Sequence, residues 1–261
     1  MTYRTHSLFH YTKSIASLRD ILETGRLFPN YCLEDLSTPA YPDYCLGIPQ
    51  VCFCDIPISR SQFLVEHYGK YAIAIDKGLG IKYGVNPVQY VSNEAIINNA
   101  IQLRAEDSMI ASMVNEKGWE FDLSKPNNIG KAHNYMLGYM KKYEGEWKKK
   151  PYCNYEENEW RFVVKDGVDG IEWKTKKEYL KWRGNPKTDL KPAATEQLKR
   201  HSVPFDIGNL RHIILYQERE VFQFVDMINS MPLICGWHVD DKAKKILLTK
   251  ITSFERIRSD Y

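Results

Sequence analysis

The chain has 261 residues, of which 43% are hydrophobic and 26% are charged, and its formal net charge is +3 at pH 7. This composition is typical of a globular protein. A net charge this small excludes a strong positive electrostatic field over the whole molecule, which would indicate a nucleic-acid partner. There is no apolar signal region and no apolar run of about 18 residues, so we expect a cytoplasmic protein with no membrane contact. The six cysteines include no zinc-ribbon pair, so no metal site is expected.

The N-terminal segment predicts a strand followed by a capped helix. Residues Ser7–Thr12 carry a short strand signal. Ser14 is a suitable N-cap for a helix over Ile15–Thr24, and Gly25 is a suitable stop for it. The turn-rich stretch 30–47, with its prolines and acidic residues, predicts a long surface loop beside that first strand.

The next segment continues the alternation of strands and helices. An apolar run over 48–57, ended by a proline, predicts a buried strand, and the serines that follow open a predicted helix over 59–68. Strands are predicted over 71–76 and 88–91, with a glycine-rich turn at 78–80 between them.

Residues 93–150 predict a helical insert within the sheet. Apolar residues recur at helical spacing from 93 to about 116, and again from about 130 to 142. The stretch 139–150 also mixes lysines with tyrosines and a tryptophan, which suits single-stranded nucleic acid because bases stack and phosphates need cations. A solvated helix face is the alternative interpretation of the same lysines.

The last third predicts three more strands. The predicted elements are a strand over 159–164, a helix over 176–182, a strand over 209–216, a helix over 218–229 and a strand over 245–251. The pattern as a whole predicts the α+β class, with one mixed or antiparallel sheet in a single domain over 1–261.

An acidic turn precedes the strand at 159–164. Glu156, Glu157 and Glu159 lie within four residues of sequence, and the last of them begins the strand. Mutual repulsion and partial desolvation would raise the pKa of one carboxyl, as for a general base or an electrostatic stabiliser. The alternative is a solvated turn that pairs with the lysines at 148–150.

The sequence lacks the common catalytic fingerprints. It has no Gly-Lys-Ser/Thr phosphate loop, no Gly-x-Ser-x-Gly elbow, no Gly-x-Gly-x-x-Gly dinucleotide motif and no metalloprotease histidine pair. A nuclease is disfavoured because no acidic cluster with metal-site spacing stands beside a lysine. The polar residues that remain at strand ends are His10, Thr12, the serines at 59–61 and the glutamates at 157–159.

Two of these segments resemble ADP-ribosyltransferases. Phe9-His10-Tyr11-Thr12 and the helix after it look like the opening of the diphtheria-toxin-like enzymes, especially the DarT-type toxins that modify nucleic acid. The stretch 51–63 is similar to the second motif of the poly-ADP-ribose polymerases. The resemblance implies an ADP-ribosyltransferase-like sheet core and NAD as cofactor.

The resemblance also implies roles for individual residues. Glu159 would be catalytic, since a carboxylate bonded to the ribose 2′-hydroxyl stabilises an oxocarbenium-like transition state. His10 would donate to a ribose hydroxyl, and Phe63 or Tyr68 would stack on nicotinamide. The implied cofactor-binding residues come from the two resembling segments and the helix that follows: His10, Tyr11, Thr12, Phe53, Ser59, Ser61, Phe63 and Tyr68.

Nearly the whole chain resembles the AbiGi family of abortive phage resistance proteins. The likeness is carried by Phe9-His10-Tyr11-Thr12, by the stretch 51–57 and by Glu159-Trp160-Arg161. With the transferase likeness, it implies a phage-defence or toxin-type enzyme that transfers ADP-ribose to RNA or DNA, with a protein acceptor also open. The alternative is a non-catalytic antitoxin or phage-sensing interaction module of an abortive-infection system. The resemblance also implies a protein partner, a cognate antitoxin or a regulatory protein.

Overall fold

The computed structural model describes residues 5–37, 43–60, 62–92, 135–184 and 195–260. Within these ranges the helices are α1 Ile15–Thr24, α2 Gln62–Tyr68, α3 Lys77–Lys82, α4 Lys176–Arg183, α5 Glu196–Lys199, α6 Val221–Ser230, α7 Asp241–Leu248 and α8 Phe254–Asp260. The strands are β1 Ser7–Thr12, β2 Arg26–Leu27, β3 Asn30–Asp35, β4 Cys45–Cys54, β5 Tyr71–Asp76, β6 Asn86–Pro87, β7 Gln89–Val91, β8 Met140–Lys142, β9 Glu144–Trp147, β10 Lys150–Cys153, β11 Glu159–Val163, β12 Lys174–Thr175, β13 Val203–Pro204, β14 Leu210–Leu215 and β15 Ile251–Ser253.

A nine-stranded sheet organises these elements. Seven strands follow the order β15-β14-β5-β1-β4-β11-β6, and β3 and β12 also pair with β4. The pairing is antiparallel except between β14 and β15. The described part of the chain therefore has the predicted α+β class and a mostly antiparallel mixed sheet.

The largest apolar core covers one face of this sheet. Helix α1 begins where the Ser14 hydroxyl accepts a hydrogen bond from the Ser17 amide, and it ends at Gly25 in the left-handed region. Its buried Leu18 and Leu22 pack with strand residues such as Leu8 and Phe53. Burial of such side chains contributes about 1.5–3 kcal/mol each, so this face carries much of the stability.

Three predicted elements outside the helical insert differ from the structure. The predicted loop at 30–47 contains β3 and the beginning of β4, which pair with each other. The predicted glycine turn at 78–80 lies inside helix α3, where the Asp76 side chain accepts a hydrogen bond from the Leu79 amide. The predicted strand at 245–251 is mostly helix α7, whose N-cap is Asp240.

The predicted helical insert at 93–150 also changes character. Residues 93–134 lie outside the described residues, so the helix predicted from 93 to about 116 stays a prediction. Beyond them, β8 pairs in parallel with β7, and β9 and β10 form an antiparallel hairpin. The lysine-rich stretch is therefore a hairpin tip rather than a helix face, with Lys148 and Lys149 at positive φ in the turn.

Candidate functional site

Strand β11 presents two ionised side chains on one face of the sheet. Before it, a 3-10 turn over Asn154–Glu157 ends at Asn158, whose φ of 42° lies in the left-handed region. Side chains alternate along a strand, so Glu159 and Arg161 share one face and Trp160 faces the other way. Both ionised residues are buried, with 5% of Glu159 and none of Arg161 exposed.

Arg161 is fully hydrogen-bonded in this buried position. Its Nε donates to Glu159 Oε1 at 2.8 Å, and its Nη2 donates to Glu34 Oε2 at 2.8 Å and to Glu159 Oε2 at 3.1 Å. Its Nη1 donates to the carbonyl oxygens of Gly138 and Met140. A buried guanidinium is tolerated only with such complete pairing, so Arg161 ties β11 to β3 and to the segment that leads into β8.

Lys141 adds a second cation to the same carboxylates. Its Nζ donates to Glu157 Oε2 at 2.6 Å and to Glu159 Oε2 at 2.9 Å. The exposed side-chain fractions are 17% for Lys141, 3% for Glu157 and 6% for Glu159. We call these residues the buried charge cluster; its members are Glu34, Lys141, Glu157, Glu159 and Arg161.

The cluster shifts the pKa of its members in opposite directions. Burial would raise the pKa of Glu159, but the positive charges of Arg161 and Lys141 outweigh it and hold that pKa well below its ordinary range. Burial would lower the pKa of Lys141, but Glu159 and Glu157 raise it well above the ordinary value. The raised carboxyl pKa expected from the acidic turn is therefore wrong for Glu159, because the nearest charges are positive.

Three members of the buried charge cluster form the floor of a cavity of about 520 Å³. Glu157, Glu159 and Lys141 line it together with Cys52, and β3 and α4 supply the opposite wall. The rest of the lining comes from α2 and from residues 142–154, which include the β9–β10 hairpin. Its aromatic part, which we call the aromatic wall, is His67, Tyr68, Trp147 and Tyr152, and its other members are Lys142, Gly145, Glu146 and Asn154. We call this cavity the Glu159 pocket, and its size is that of a small-molecule site.

The aromatic wall is a packed cluster centred on His67. The imidazole ring lies 4.5 Å from the Trp147 ring and 4.6 Å from the Tyr152 ring, measured between centroids. His67 Nδ1 lies 2.6 Å from the Phe63 carbonyl oxygen, to which it donates. Because Trp147 and Tyr152 lie on β9 and β10, this contact holds the hairpin against α2 and beside the pocket.

Tyr68 is the predicted cofactor-binding residue that shares the pocket with Glu159. Its pKa is raised well above the ordinary value by burial and then by the charges of Glu157 and Glu159, so the phenol stays protonated. Phe63 lies earlier on α2 and, like Tyr68, packs against the cluster of Cys54, Ile56 and Leu64, but it does not line the pocket. Of the two predicted stacking residues, Tyr68 therefore has the position closer to the carboxylates.

His10 projects to the other face of the sheet. Phe9 pairs with Cys54, and Cys54 pairs with Glu159, so these three side chains share one face and His10, next in sequence, faces the opposite way. Its ring lies 5.9 Å from Phe53 on the apolar face, and its Nδ1 lies 2.9 Å from the Cys52 carbonyl oxygen. The structure does not bring the imidazole of His10 to the carboxylate of Glu159.

The other predicted residues that the structure describes lie apart from the pocket. Tyr11 stacks on Phe254 with ring centroids 6.2 Å apart, and Thr12 is buried at the end of β1. Phe53 belongs to the main apolar core. Ser59 is exposed in a 3-10 turn, and Ser61 lies outside the described residues.

Sequence reasoning missed most of the groups around Glu159. Arg161 could have been found, since the pattern Glu-x-Arg in a strand places both side chains on one face. Lys141 and Glu34 carry no such signal, because they reach the site from other strands. The described residues contain no group of three His, Cys, Asp or Glu side chains gathered as for a metal ion, and no helix there has the length and apolar character to cross a bilayer.

The chain matches a family model described as "Putative abortive phage resistance protein AbiGi, antitoxin" over residues 26–191. The abortive phage resistance protein AbiGi of Lactococcus lactis subsp. cremoris is 24% identical over 237 residues, which cover 82% of this chain and 89% of that relative. No solved structure matches the chain. The segment matched by the family contains the whole buried charge cluster, whereas His10 precedes it.

Proposed function

The chain belongs to the AbiGi family of abortive phage resistance proteins, and we propose that it acts as the antitoxin of an abortive-infection pair. In this role it restrains a cognate toxin protein by binding it, without chemistry of its own. The family description includes the word antitoxin, which supports the role of antitoxin over that of toxin.

The observation that carries the proposal is the neutralised state of Glu159. Its two oxygens accept hydrogen bonds from Arg161 and Lys141, at distances of 2.8 to 3.1 Å. A carboxylate that is already paired with two cations has little capacity to stabilise a further positive charge in a transition state. In this arrangement Glu159 serves the architecture of the sheet, as a non-catalytic protein requires.

Co-expression tests the antitoxin proposal directly. The toxin of the same abortive-infection system is induced in a bacterial host with and without this chain, and growth and co-purification are followed. We expect growth to be restored and the two proteins to purify together, with a Glu159→Gln variant that is shown to be folded performing as the wild type. Growth arrest caused by this chain alone would overturn the proposal.

An NAD-dependent ADP-ribosyltransferase is the second candidate, and the Glu159 pocket is the observation that favours it. The cavity of about 520 Å³ places carboxylates, which accept hydrogen bonds from ribose hydroxyls, beside the aromatic rings of Tyr68, Trp147 and Tyr152, which stack on bases. In this reading Glu159 is the catalytic group, NAD is the cofactor and a nucleic acid is the acceptor.

Labelled NAD distinguishes the two candidates. The purified chain is incubated with it and with separate pools of DNA, RNA and protein, and label transfer and nicotinamide release are measured. A transferase would lose on the order of 10²–10³ in rate in Glu159→Gln. It would keep its rate in Lys199→Ala, which removes an exposed lysine of α5 that pairs with Glu196. An antitoxin gives no turnover in any pool.

A further inference from the structure

Lys141 seats its ammonium group between two carboxylates at the floor of the Glu159 pocket. The distances from Nζ are 2.6 Å to Glu157 Oε2 and 2.9 Å to Glu159 Oε2. All three side chains line the cavity, so the contact is made at its surface and not behind it. The pocket therefore already binds a cation between Glu157 and Glu159, and that cation is a side chain of the protein itself.

The backbone that carries Lys141 is held independently of its side chain. Arg161 Nη1 donates to the carbonyl oxygens of Gly138 and Met140, at 2.9 and 3.3 Å. Next to Lys141, the Nζ of Lys142 pairs with Asp35 at 2.7 Å. The four-carbon stem of Lys141 can therefore leave the carboxylates without disturbing β8, because none of these contacts uses its ammonium.

The remainder of the pocket suits a cation with an apolar body. Tyr68, Trp147 and Tyr152 line the wall beside the carboxylates, and aromatic faces attract ammonium and guanidinium groups. The cavity of about 520 Å³ extends beyond the lysine, so it has room for a ligand in addition to the ionised head.

We propose that the floor of the Glu159 pocket is a binding site for a small organic cation, an ammonium or a guanidinium, and that Lys141 is its resting occupant. An incoming cation takes the place of the lysine head between Glu157 and Glu159 and lays its apolar body along the aromatic wall. This inference does not rest on the antitoxin proposal, and it leaves the pairing of Glu159 in place: Arg161 keeps its two hydrogen bonds to that carboxylate when another cation replaces the lysine head.

Chemical rescue of Lys141→Ala tests the site. Propylammonium contains the three carbons and the ammonium that this substitution removes, so it fits the space left between the carboxylates. We expect the melting temperature of Lys141→Ala to rise saturably by about 2–4 °C with propylammonium. The wild type should gain less than half of that shift, since its own lysine competes. Benzamidinium, a flat cation, should stabilise the variant as well.

Two controls separate this effect from a general influence of amines. Lys199→Ala removes an exposed lysine that pairs with Glu196 on α5, so propylammonium should not stabilise it beyond the wild type. Propanol, the neutral counterpart, should rescue neither variant. If Lys141→Ala does not fold alone, folding in the presence of propylammonium supports the site. Failure to gain stability or to fold at any concentration of the amine overturns it, as does an equal shift in all three proteins.

Discussion

The two faces of strand β11 are built from opposite chemistry. On one face, Trp160 and Phe162 pack against the apolar core around Phe53. On the other face, Glu159 and Arg161 join a cluster of buried ions beside an open cavity. A single five-residue strand therefore contributes to an apolar core and to an ionic network, separated only by the thickness of the sheet.

The two faces respond differently to the loss of one group. An apolar core loses the transfer free energy of the removed atoms and gains a cavity, so small changes of shape have small costs. An ionic network loses more when one partner is removed, because the groups left behind are charged and buried. The charged face is thus the less tolerant of the two, although its ions need not add net stability as a set.

The largest expected effect comes from Arg161→Met on the charged face. The substitution keeps an unbranched apolar stem but removes the guanidinium from Glu34 and Glu159, and it leaves the carbonyl oxygens of Gly138 and Met140 without this donor. We expect a loss of about 3–5 kcal/mol in the free energy of unfolding, measured by urea denaturation. Arg211→Met, which removes a half-exposed partner of Asp76, should cost less than about 1 kcal/mol. Equal costs for the two variants would contradict the comparison.

Glu159→Gln should have a smaller effect at neutral pH. The amide has the shape of the carboxylate, Arg161 retains Glu34, and Lys141 retains Glu157. We expect a loss of about 2 kcal/mol in the free energy of unfolding, measured in the same denaturation series. An unchanged or increased stability would mean that the charge of Glu159 is not needed by its two cations.

The dependence of the free energy of unfolding on pH gives a second test of the charge of Glu159. The pKa of Glu159 is lower in the folded protein than in the unfolded chain, so its pairing stabilises the fold above the ordinary glutamate pKa and the contribution is lost as the pH falls. Between about pH 5 and pH 3, the wild type should lose up to about 1.4 kcal/mol per pH unit more than Glu159→Gln. Parallel curves for the two proteins would show that Glu159 titrates normally.

The sequence predicts an element correctly where residues within or next to that element determine its structure. Strand β1 and helix α1 form over the predicted residues, because a serine cap and a glycine stop fix the helix locally. The sequence predicts a strand where helix α7 lies, since the short apolar run there suits both structures and the cap at Asp240 lies outside that run. It predicts a loop where strand β3 lies, because the pairing of β3 with β4 is a tertiary contact and the local sequence is rich in turn residues.

The same limit applies to the candidate site. The position of Glu159 at the start of a strand could be predicted from the local pattern, but the state of its carboxyl could not. Lys141 lies 18 residues away in sequence, and Glu34 lies 127 residues from Arg161. His10 does not reach Glu159 because its neighbour in sequence, Phe9, is the residue whose side chain shares the face of Glu159. This depends on the register between strands, which the spacing of residues along the chain does not reveal.

On the apolar face, Phe53→Leu should have a smaller effect than either Arg161→Met or Glu159→Gln has on the charged face. Phe53 lies on β4, where its side chain is buried in the apolar core and its ring contacts that of His10. A leucine at this position would retain most of the apolar contacts of the phenylalanine. We expect a loss of about 1 kcal/mol in the free energy of unfolding, with an acid slope identical to that of the wild type, because no ionised group is disturbed. A cost as large as that of Arg161→Met, or a changed slope, would show that the two faces are coupled through the sheet and do not respond separately.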